Sequence, residues 1–282
     1  MPDADGQLAP DAKGAALREA LGRLGSAVVA FSGGVDSTFL LRVSHDVLGD
    51  NAIAVTARLS TVPDREINEA AAYCRALGVR HEILDFDAFA VPGFTENSPD
   101  RCYFCKKALF TGIRAFAEAN GCAAVLEGSN RDDDGDFRPG RRALRELGIL
   151  SPLRDAGLSK AEIRILSAKK GLPTASKPSF ACLATRFPYG ECLTPEGIER
   201  VGRAEQFLLD LDAGLSQVRV RVHGPVARIE VPAEDIPAVV AHRDEIVAAL
   251  NKLGFAYVSL DLSGYRTGSM NAMLPPAEGE SR

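Results

Sequence analysis

Short apolar runs alternate with amphipathic segments along the first two thirds of the chain. The apolar runs predict strands at 26–31, 52–57, 80–84, 122–127 and 148–151. Apolar residues at helical spacing between them predict helices at 14–24, 37–48, 64–77, 104–119 and 159–170. Strands and helices that alternate in this way form βαβ units, in which helices cover both faces of a parallel sheet. The predicted fold class is therefore α/β, with a doubly wound parallel sheet.

The pattern changes after residues 172–194, a segment rich in proline, serine and cysteine that predicts a long functional loop. The elements predicted beyond it are a helix, a hairpin of two strands, a second helix and a last strand, at 195–212, 218–222, 226–231, 233–252 and 256–262. Their order is typical of a small α+β domain. We therefore predict two domains, at 1–194 and 195–282.

Composition restricts the partners of the chain. Of its 282 residues 46% are hydrophobic, and 33 Lys and Arg against 38 Asp and Glu give a net charge of −5. No apolar stretch approaches the ~20 residues of a membrane span, so no membrane partner is expected. The negative charge argues against a broad nucleic-acid surface. The amino-terminal segment lacks the apolar core of a signal peptide. Without such a signal, the six cysteines indicate a reducing cytoplasm, where clustered cysteines act as ligands or reactants.

The turn after the first predicted strand combines residues that suit a phosphate group: Ser32, Gly33, Gly34, Val35, Asp36 and Ser37. Adjacent glycines allow a positive φ angle and the close approach of a ligand to the backbone. The helix that follows directs its first N–H groups and the positive end of its dipole towards the turn. The serine hydroxyls add donors, and the Asp36 carboxylate suits Mg²⁺. The turn lacks the lysine of G-x-x-x-x-G-K-[ST] and the third glycine of G-x-G-x-x-G, which indicates a different kind of phosphate site.

Three cysteines stand in segments of distinctive sequence. Cys102 and Cys105 form a C-x-x-C at the start of a predicted helix, and Cys182 lies in the long loop. A helix N-terminus and nearby cations favour the thiolate form. Three thiolates are able to hold an iron–sulfur cluster with one open iron, or a zinc ion with Cys192 as the fourth ligand. Free thiols with an incidental C-x-x-C are the third interpretation, and the spacing alone does not separate the three.

Two further groups of charged residues are candidate sites. The acidic segment 127–136 follows the fourth predicted strand, so its carboxylates are expected at the same sheet edge as the phosphate turn; a solvated acidic loop is the alternative. Arg219 and Arg221 share one face of a strand, because alternate side chains point the same way. With Arg228 and Glu230 opposite them, this face forms an anion site if it lines the active cleft. Otherwise it is an exposed strand face.

The sequence S-G-G-x-D-S resembles the PP-loop of the ATP pyrophosphatases, which cleave ATP between the α- and β-phosphates. Further matching segments extend the resemblance along nearly the whole chain, at 31–37, 100–107, 127–140, 178–190, 218–231 and 254–271. In this combination the chain resembles the LarE family, the ATP-dependent sulfur transferases of nickel-pincer nucleotide biosynthesis. The resemblance implies the PP-loop fold, also called adenine nucleotide alpha hydrolase-like, with a small C-terminal α+β domain.

The resemblance also implies a reaction and its residues. A carboxylate of pyridinium-3,5-biscarboxylic acid mononucleotide is adenylated with ATP and Mg²⁺, sulfur displaces AMP, and a second round treats the other carboxylate. The residues implied to bind ATP are Ser32, Gly33, Gly34, Val35, Asp36, Ser37, Gly128 and Asn130. Those implied to bind the mononucleotide are Arg219, Arg221 and Glu230. Those implied to act in catalysis are Cys182, Asp36 and Arg186. A homo-oligomer, with a hexamer as one form, is also implied.

The family divides over the source of its sulfur. One type sacrifices the thiol of a single cysteine, which becomes dehydroalanine, and Cys182 matches that cysteine. The other type binds a 4Fe-4S cluster on three cysteines and delivers an extra sulfide from the open iron. Cys102 and Cys105 are the additional pair that fits the cluster type. We therefore favour a cluster on these three cysteines, and assign no role to Cys192.

Three other functions are compatible with parts of the sequence. A tRNA thiolase shares the PP-loop but is expected to show a broader basic surface. An amidotransferase synthetase is expected to carry or recruit a glutaminase. A non-enzymatic metal-binding or redox-sensing protein uses the cysteines without ATP, so conversion of ATP to AMP separates it from the enzymes.

Overall fold

Four parallel strands form the sheet of the first structural unit. The computed structural model describes residues 9–135 and 139–266. The strands are β1 (Ala27–Ala30), β2 (Ala52–Arg58), β3 (His81–Asp85) and β4 (Ala124–Leu126). The α-helices described in this unit are α1 (Pro10–Gly22), α2 (Val35–Leu48), α3 (Asp64–Leu77), α4 (Arg101–Ala119), α5 (Gly140–Glu146), α6 (Pro152–Asp155) and α7 (Lys160–Lys169).

Alternate residues of β1 face two separate cores. Val29 packs in one buried cluster with Leu40 of α2, whereas Val28 packs in another with Phe110 of α4. A central parallel strand that is buried on both faces needs apolar residues at successive positions, which is the reason for the unbroken apolar run at 27–30. Helices cover both faces of the sheet, and the predicted doubly wound α/β fold is confirmed.

The order of strands places the phosphate turn at a reversal of the sheet. The order is β3-β2-β1-β4, so β2 and β3 lie on one side of β1 and β4 lies on the other. All four strands run parallel. In open α/β sheets, ligands bind beyond the carboxyl ends of the strands at such a reversal. The loops that follow β1 and β4 therefore meet at the expected ligand edge.

The fifth strand predicted for this sheet, at 148–151, is reduced to one contact. Leu150 forms an isolated parallel bridge with Leu126 of β4. The left-handed backbone of Gly148, with φ at 66°, and the start of α6 at Pro152 leave too few extended residues between them for a strand.

The second unit is built on a three-stranded sheet. Its strands are β5 (Arg219–His223), β6 (Val226–Glu230) and β7 (Tyr257–Leu260), in the order β5-β6-β7. The pair β5–β6 is the predicted antiparallel hairpin, and β7 runs parallel to β6. The helices are α8 (Pro195–Asp210), α9 (Ile236–Ala241) and α10 (Arg243–Lys252). The single helix predicted at 233–252 is divided at His242, where ψ is 13° and the backbone leaves the helical region.

The division between the units differs from the predicted boundary at 194/195. The first unit comprises residues up to 94 and 98–180, and the second comprises 95–97 and the residues from 181. Residues 181–194 belong to the second unit because they hydrogen-bond to 95–97, with Leu193 N donating to the Thr95 carbonyl at 2.8 Å.

Two further points concern the extent of the chain. Among the described helices, none has the length and apolar character that crossing a membrane requires. Parts of three segments named above lie outside the described residues. They are the last part of the acidic segment 127–136, residues 137–138 of the matching segment 127–140, and the end of the segment 254–271.

Candidate active site

Hydrogen bonds between two serines close the PP-loop (residues 32–37). Ser32 N donates to Ser37 Oγ at 3.3 Å, and the two hydroxyl oxygens lie 3.1 Å apart. Ser37 Oγ also donates to the Gly34 carbonyl at 3.1 Å. The loop thus forms a ring around the start of α2, whose first N–H groups need partners from outside the helix. This is the arrangement in which a helix N-terminus binds a phosphate.

The backbone angle of Gly33 favours glycine. Its φ is 71°, in the left-handed region that is strained for other residues. A Cβ there would lie 3.4 Å from the Cβ of Ala70 on α3, at about van der Waals contact. The PP-loop therefore packs directly on that helix.

Gly128, in the loop after β4, allows this loop to approach the PP-loop closely. A Cβ at residue 128 would lie 3.1 Å from the backbone nitrogen of Ser37 and 3.4 Å from the Cβ of Asp36. The contact with Ser37 is tighter than most side chains make, so glycine is favoured here and a larger residue would have to displace its neighbours. The loops after β1 and β4 meet as the sheet order requires, while contact of Gly128 with ATP itself stays a prediction.

Asp36, in the first turn of α2, has one carboxylate oxygen paired and the other unpaired. Its Oδ2 forms an ion pair with Lys160 Nζ, whereas its buried Oδ1 accepts no hydrogen bond from the described residues. Burial raises the pKa of Asp36, and Lys160 partly offsets that rise. A buried oxygen without a donor calls for an explanation, and a carboxylate oxygen is a ligand that Mg²⁺ accepts. The residue fits the metal ion that accompanies ATP.

Lys160 lies beside the PP-loop aspartate, a contact that the sequence did not reveal. It begins α7, whose start is fixed by a capping box between Ser159 and Glu162. Glu162 also pairs with Lys13 of α1 at 2.7 Å. These contacts hold the Lys160 side chain against Asp36, so a distant helix supplies the cation that the PP-loop motif lacks. The capping sequence S-K-A-E was the available signal, but it predicts a helix start and not its neighbour.

Side chains of the acidic segment after β4 form hydrogen bonds with nearby backbone N–H groups. Asp133 Oδ2 accepts from Asn130 N at 2.9 Å, and Asn130 Oδ1 accepts from Asp132 N at 2.9 Å. Asp132 Oδ2 in turn accepts from Lys160 N at 2.8 Å. Asn130 thus shapes the turn that leads to α7, and its contact with ATP stays a prediction. Glu127 accepts hydrogen bonds from two serine hydroxyls.

The C-x-x-C pair lies at the beginning of α4. Cys102 and Cys105 are three residues apart and therefore on one side of the helix. The Arg101 side chain is buried, and its Nη2 lies 3.5 Å from Cys102 Sγ as a donor. Both thiols are half-buried, and the guanidinium beside Cys102 favours its thiolate form. Thiolates are the usual ligands of iron–sulfur clusters, so the pair is chemically suited to bind one. Within 9–135 and 139–266, no three His, Cys, Asp or Glu side chains are grouped to hold a metal ion.

Cys182 precedes a single helical turn in the second unit, and Thr185 fixes its backbone. Thr185 N and Oγ1 both donate to the Cys182 carbonyl, at 2.9 and 2.8 Å. Arg221 Nη1, on β5, donates to the Thr185 carbonyl at 2.7 Å. The cysteine is half-buried and forms no disulfide. Its turn is therefore held on one of the arginines implied to bind the mononucleotide.

Glu230 on β6 connects Arg221 of the neighbouring strand β5 to Arg228 of its own strand. Its Oε2 accepts from Arg221 Nε and Nη2 at 3.1 and 3.0 Å, and its Oε1 accepts from Arg228 Nη2 at 2.8 Å. The carboxylate is 1% exposed. The register places Arg221 opposite Arg228 and Arg219 opposite Glu230. Asp261 Oδ2 also lies 3.6 Å from Arg228 Nε, so three guanidiniums meet two carboxylates. The cluster keeps a net positive charge, which suits an anionic ligand.

Arg219 and Arg186 are both buried in the second unit. Burial, followed by the charge of Arg186, lowers the pKa of Arg219 to about 10. The Arg219 guanidinium also lies 5.3 Å from the ring centre of Tyr265. Arg186 Nε and Nη2 bind the two oxygens of Glu205 at 2.6 and 3.1 Å, and Glu205 accepts from Val220 N at 2.9 Å. Arg186 therefore connects the turn after Cys182 to α8 and β5, and a direct catalytic role for it stays a prediction.

The predicted site residues fall into two groups, one in each unit. The first unit brings together Ser32, Gly33, Gly34, Val35, Asp36, Ser37 and Gly128, with Asn130 in the adjoining turn. The second brings together Cys182, Arg186, Arg219, Arg221 and Glu230. Cys102 and Cys105 lie in the first unit, on α4.

The chain is similar to known proteins both over a part of its length and over nearly all of it. Residues 26–98 match the family described as queuosine biosynthesis protein QueC. An uncharacterized protein of Synechocystis sp. is 44% identical over 92% of this chain and 96% of its own length. The pyridinium-3,5-bisthiocarboxylic acid mononucleotide synthase of Lactiplantibacillus plantarum is 39% identical over 94% of this chain and 96% of its own length.

A more distant relative matches part of the chain. The tRNA-specific 2-thiouridylase MnmA of Agrobacterium fabrum is 32% identical over 53% of this chain and 48% of its own length. Similarity at this level supports the PP-loop fold and the use of ATP. Because the identity to the mononucleotide synthase extends over nearly the full length of both proteins, the chain belongs to the LarE family of ATP-dependent PP-loop sulfurtransferases.

Proposed function

We propose that the chain converts the carboxylates of pyridinium-3,5-biscarboxylic acid mononucleotide to thiocarboxylates. The observation that carries the proposal is the buried Oδ1 of Asp36 at the start of α2, which has no hydrogen-bond partner among the described residues. It is joined by the similarity of the chain to the Lactiplantibacillus plantarum synthase over nearly its whole length. That relative is named as the synthase of a bisthiocarboxylic acid mononucleotide, which supports the conversion of carboxylate to thiocarboxylate as the reaction. Cleavage of ATP at the PP-loop would supply the energy for this conversion.

The first step is adenylation, because a bare carboxylate resists nucleophiles. A carboxylate oxygen of the substrate attacks the α-phosphorus of ATP, the bond to the β-phosphate oxygen breaks, and pyrophosphate leaves. Asp36 would hold the Mg²⁺ ion, which would supply positive charge beside the phosphates, and the N–H groups at the start of α2 would bind phosphate oxygens. Lys160 supplies positive charge where negative charge accumulates on the departing pyrophosphate.

The second step replaces an oxygen by sulfur. A sulfide sulfur attacks the acyl carbon, the carbon–oxygen bond to AMP breaks, and AMP carries away the electron pair. Arg219, Arg221 and Glu230 bind and orient the anionic mononucleotide. Repetition on the other carboxylate completes the product.

We propose a 4Fe-4S cluster on Cys102, Cys105 and Cys182 as the source of the sulfur. When bound, such a cluster supplies a sulfide on the iron that the three cysteines leave open. The paired thiols beside Arg101 support this proposal. The alternative is sacrifice of the Cys182 thiol itself, which leaves dehydroalanine at that position.

The test uses anaerobically purified protein with the mononucleotide, MgATP and sulfide. We expect AMP, pyrophosphate and a product mass in which sulfur replaces oxygen. We also expect iron and labile sulfide that are lost in C102S and C105S and retained in C192S, a matched control on an exposed thiol. A mass loss of H₂S at Cys182, in proportion to product, would establish the sacrificial route instead. AMP formation that requires tRNA and not the mononucleotide would overturn the proposed substrate.

We further propose a homo-oligomer, as large as a hexamer, that works in the cytoplasm. The family resemblance supports the assembly, and six cysteines without a disulfide among the described residues agree with a reducing compartment. Light scattering of the purified protein tests the assembly, and a monomer at working concentration would contradict it.

A further inference from the structure

Lys177 contacts the PP-loop from the side of α3. Its Nζ donates to the Gly33 carbonyl at 3.3 Å and pairs with Glu66 and Glu69 of α3 at 2.8 and 2.7 Å. The Lys177 and Glu66 side chains are only 18% and 10% exposed, so the contact is shielded from solvent. An ammonium is therefore fixed between a helix and one particular peptide group of the loop.

That peptide group is the one most able to rotate. A trans peptide holds its C=O and its N–H on opposite sides, so the direction of the Gly33 carbonyl determines the direction of the Gly34 N–H. Glycine on both sides of the peptide removes the steric barrier to a flip. With its carbonyl on Lys177, the Gly34 N–H points to the Ser32 hydroxyl at 3.4 Å, on the inner side of the loop. A flipped peptide would present a carbonyl oxygen there, which repels phosphate.

The segment that carries Lys177 is itself held in place. Arg164 of α7 donates to the carbonyls of Ala175 and Lys177 at 2.6 and 2.9 Å, and Lys177 N donates to the Thr174 carbonyl at 3.0 Å. Cys182 follows five residues later, beyond the end of the first unit at residue 180. The segment that leads to the cysteine thus contacts the PP-loop through Lys177.

The charge of Lys177 is maintained by its surroundings. Burial alone would lower the pKa of Lys177, but the hydrogen bonds that it donates to Glu66 and Glu69 outweigh burial and raise the pKa above the ordinary value. These surroundings therefore favour the ammonium form, which has the N–H donors.

We propose that Lys177 is a positioning residue for ATP: it holds the Gly33–Gly34 peptide in the orientation that directs the Gly34 N–H towards the phosphates. The proposal rests on the ATP use described above, and it assigns Lys177 no contact with the reacting atoms. Lys177 then acts through the loop backbone, in the way a partner residue orients a ligand-binding group.

The test measures MgATP affinity by calorimetry, without the second substrate, for K177M, K177R, E66Q, E66Q/K177M and K170M. Substitution of Lys177 alone removes the closer of the two cations beside the buried Glu66 and leaves only Arg65, whose Nε lies 3.7 Å away. The double variant removes both charges of the Lys177–Glu66 pair, so it separates the loss of Lys177 from the effect of a poorly paired buried carboxylate. E66Q retains the ammonium on the Gly33 carbonyl. Lys170 pairs with Asp46 at 2.8 Å elsewhere in the unit and is the matched control.

We expect K177M and E66Q/K177M to bind MgATP about tenfold more weakly, as for loss of a hydrogen bond from a charged group. E66Q, K170M and the rescue variant K177R should stay close to wild type, and mononucleotide affinity should be unchanged in all of them. A double variant that binds MgATP as tightly as E66Q would overturn the role of Lys177. Wild-type protein that binds no MgATP would overturn the proposed function as well.

Discussion

The guanidinium of Arg221 donates a hydrogen bond to the carbonyl oxygen of Thr185 at 2.7 Å. Thr185 in turn donates two hydrogen bonds to the carbonyl of Cys182. The same guanidinium is held by Glu230 on the neighbouring strand. An arginine implied to bind the mononucleotide therefore also supports the turn of the cysteine implied to handle sulfur. The residues proposed to bind the mononucleotide and the cysteine proposed to handle sulfur are therefore connected by hydrogen bonds within the second unit.

The first prediction concerns Thr185. Replacing it with valine keeps the branched shape but removes the hydroxyl that donates to the Cys182 carbonyl and accepts from Arg186 at 2.6 Å. We expect AMP formation to continue and the thiocarboxylate formed per AMP to fall about fivefold, as for loss of ~1 kcal/mol of hydrogen bonding. T185S, which retains the hydroxyl, should behave as wild type. An unchanged product-to-AMP ratio in T185V would argue against positioning of Cys182 by this residue.

The second prediction concerns Lys160 and pH. Burial raises the pKa of Asp36, so the carboxylate that Mg²⁺ needs is lost on acidification at a higher pH than for an ordinary aspartate. The raised pKa also means that the ionised Asp36 carboxylate lowers the free energy of unfolding at neutral pH. This destabilisation diminishes as the pH falls through the raised pKa and the carboxylate is protonated. Lys160 opposes the rise, so K160M should move the acidic limb of the AMP-formation profile to higher pH and reduce its plateau at least about tenfold.

The control for this experiment is K169M, since Lys169 lies at the other end of α7 and pairs with Asp11 at the surface. Its profile should match that of wild type. If K160M lowered the rate equally at every pH, Lys160 would not act on the protonation of Asp36.

The third prediction concerns Gly128. Alanine at this position would place a methyl group 3.1 Å from the backbone nitrogen of Ser37, so the PP-loop or the loop after β4 must shift. We expect G128A to lose about 1–3 kcal/mol of unfolding free energy, as for overpacking of a tight contact, and to bind MgATP more weakly. Gly112, on α4 with no neighbour near its added Cβ, provides the comparison. G112A should be neutral or slightly stabilising. Equal effects of the two substitutions on denaturant unfolding and ATP binding would contradict the close approach.

The fourth prediction concerns Arg219. Removing its guanidinium takes one cation from the cluster on β5 and β6, and Arg219 belongs to a different unit from the PP-loop. We expect R219Q to weaken mononucleotide binding about tenfold or more, as for loss of a charge-assisted hydrogen bond, with little change in ATP affinity. Separate titrations of the two ligands measure this difference. Equal losses for both would indicate a general effect on the fold and not a contact with the mononucleotide.

The sequence alone determined the periodic elements and the local motif. The unbroken apolar run of β1 permits only a strand buried on both faces, and the glycine pair with Asp36 and Ser37 specifies a phosphate turn before a helix. The alternation of residues 218–222 likewise specified a two-faced strand, with Arg219 and Arg221 on one side. Each of these local structures depends on interactions between residues that are close in sequence. The local sequence is therefore enough to predict them.

Only the tertiary structure decided which distant residues meet. Lys160 reaches Asp36 across 124 residues of sequence, and Lys177 reaches the carbonyl of Gly33 across 144 residues. It also showed that Arg186 lies buried against Glu205 and that residues 181–194 belong with the second unit. These pairings depend on how helices pack against the sheet and on where each chain reversal ends. No local pattern encodes that choice, because it is made by burial and charge compensation across the whole unit.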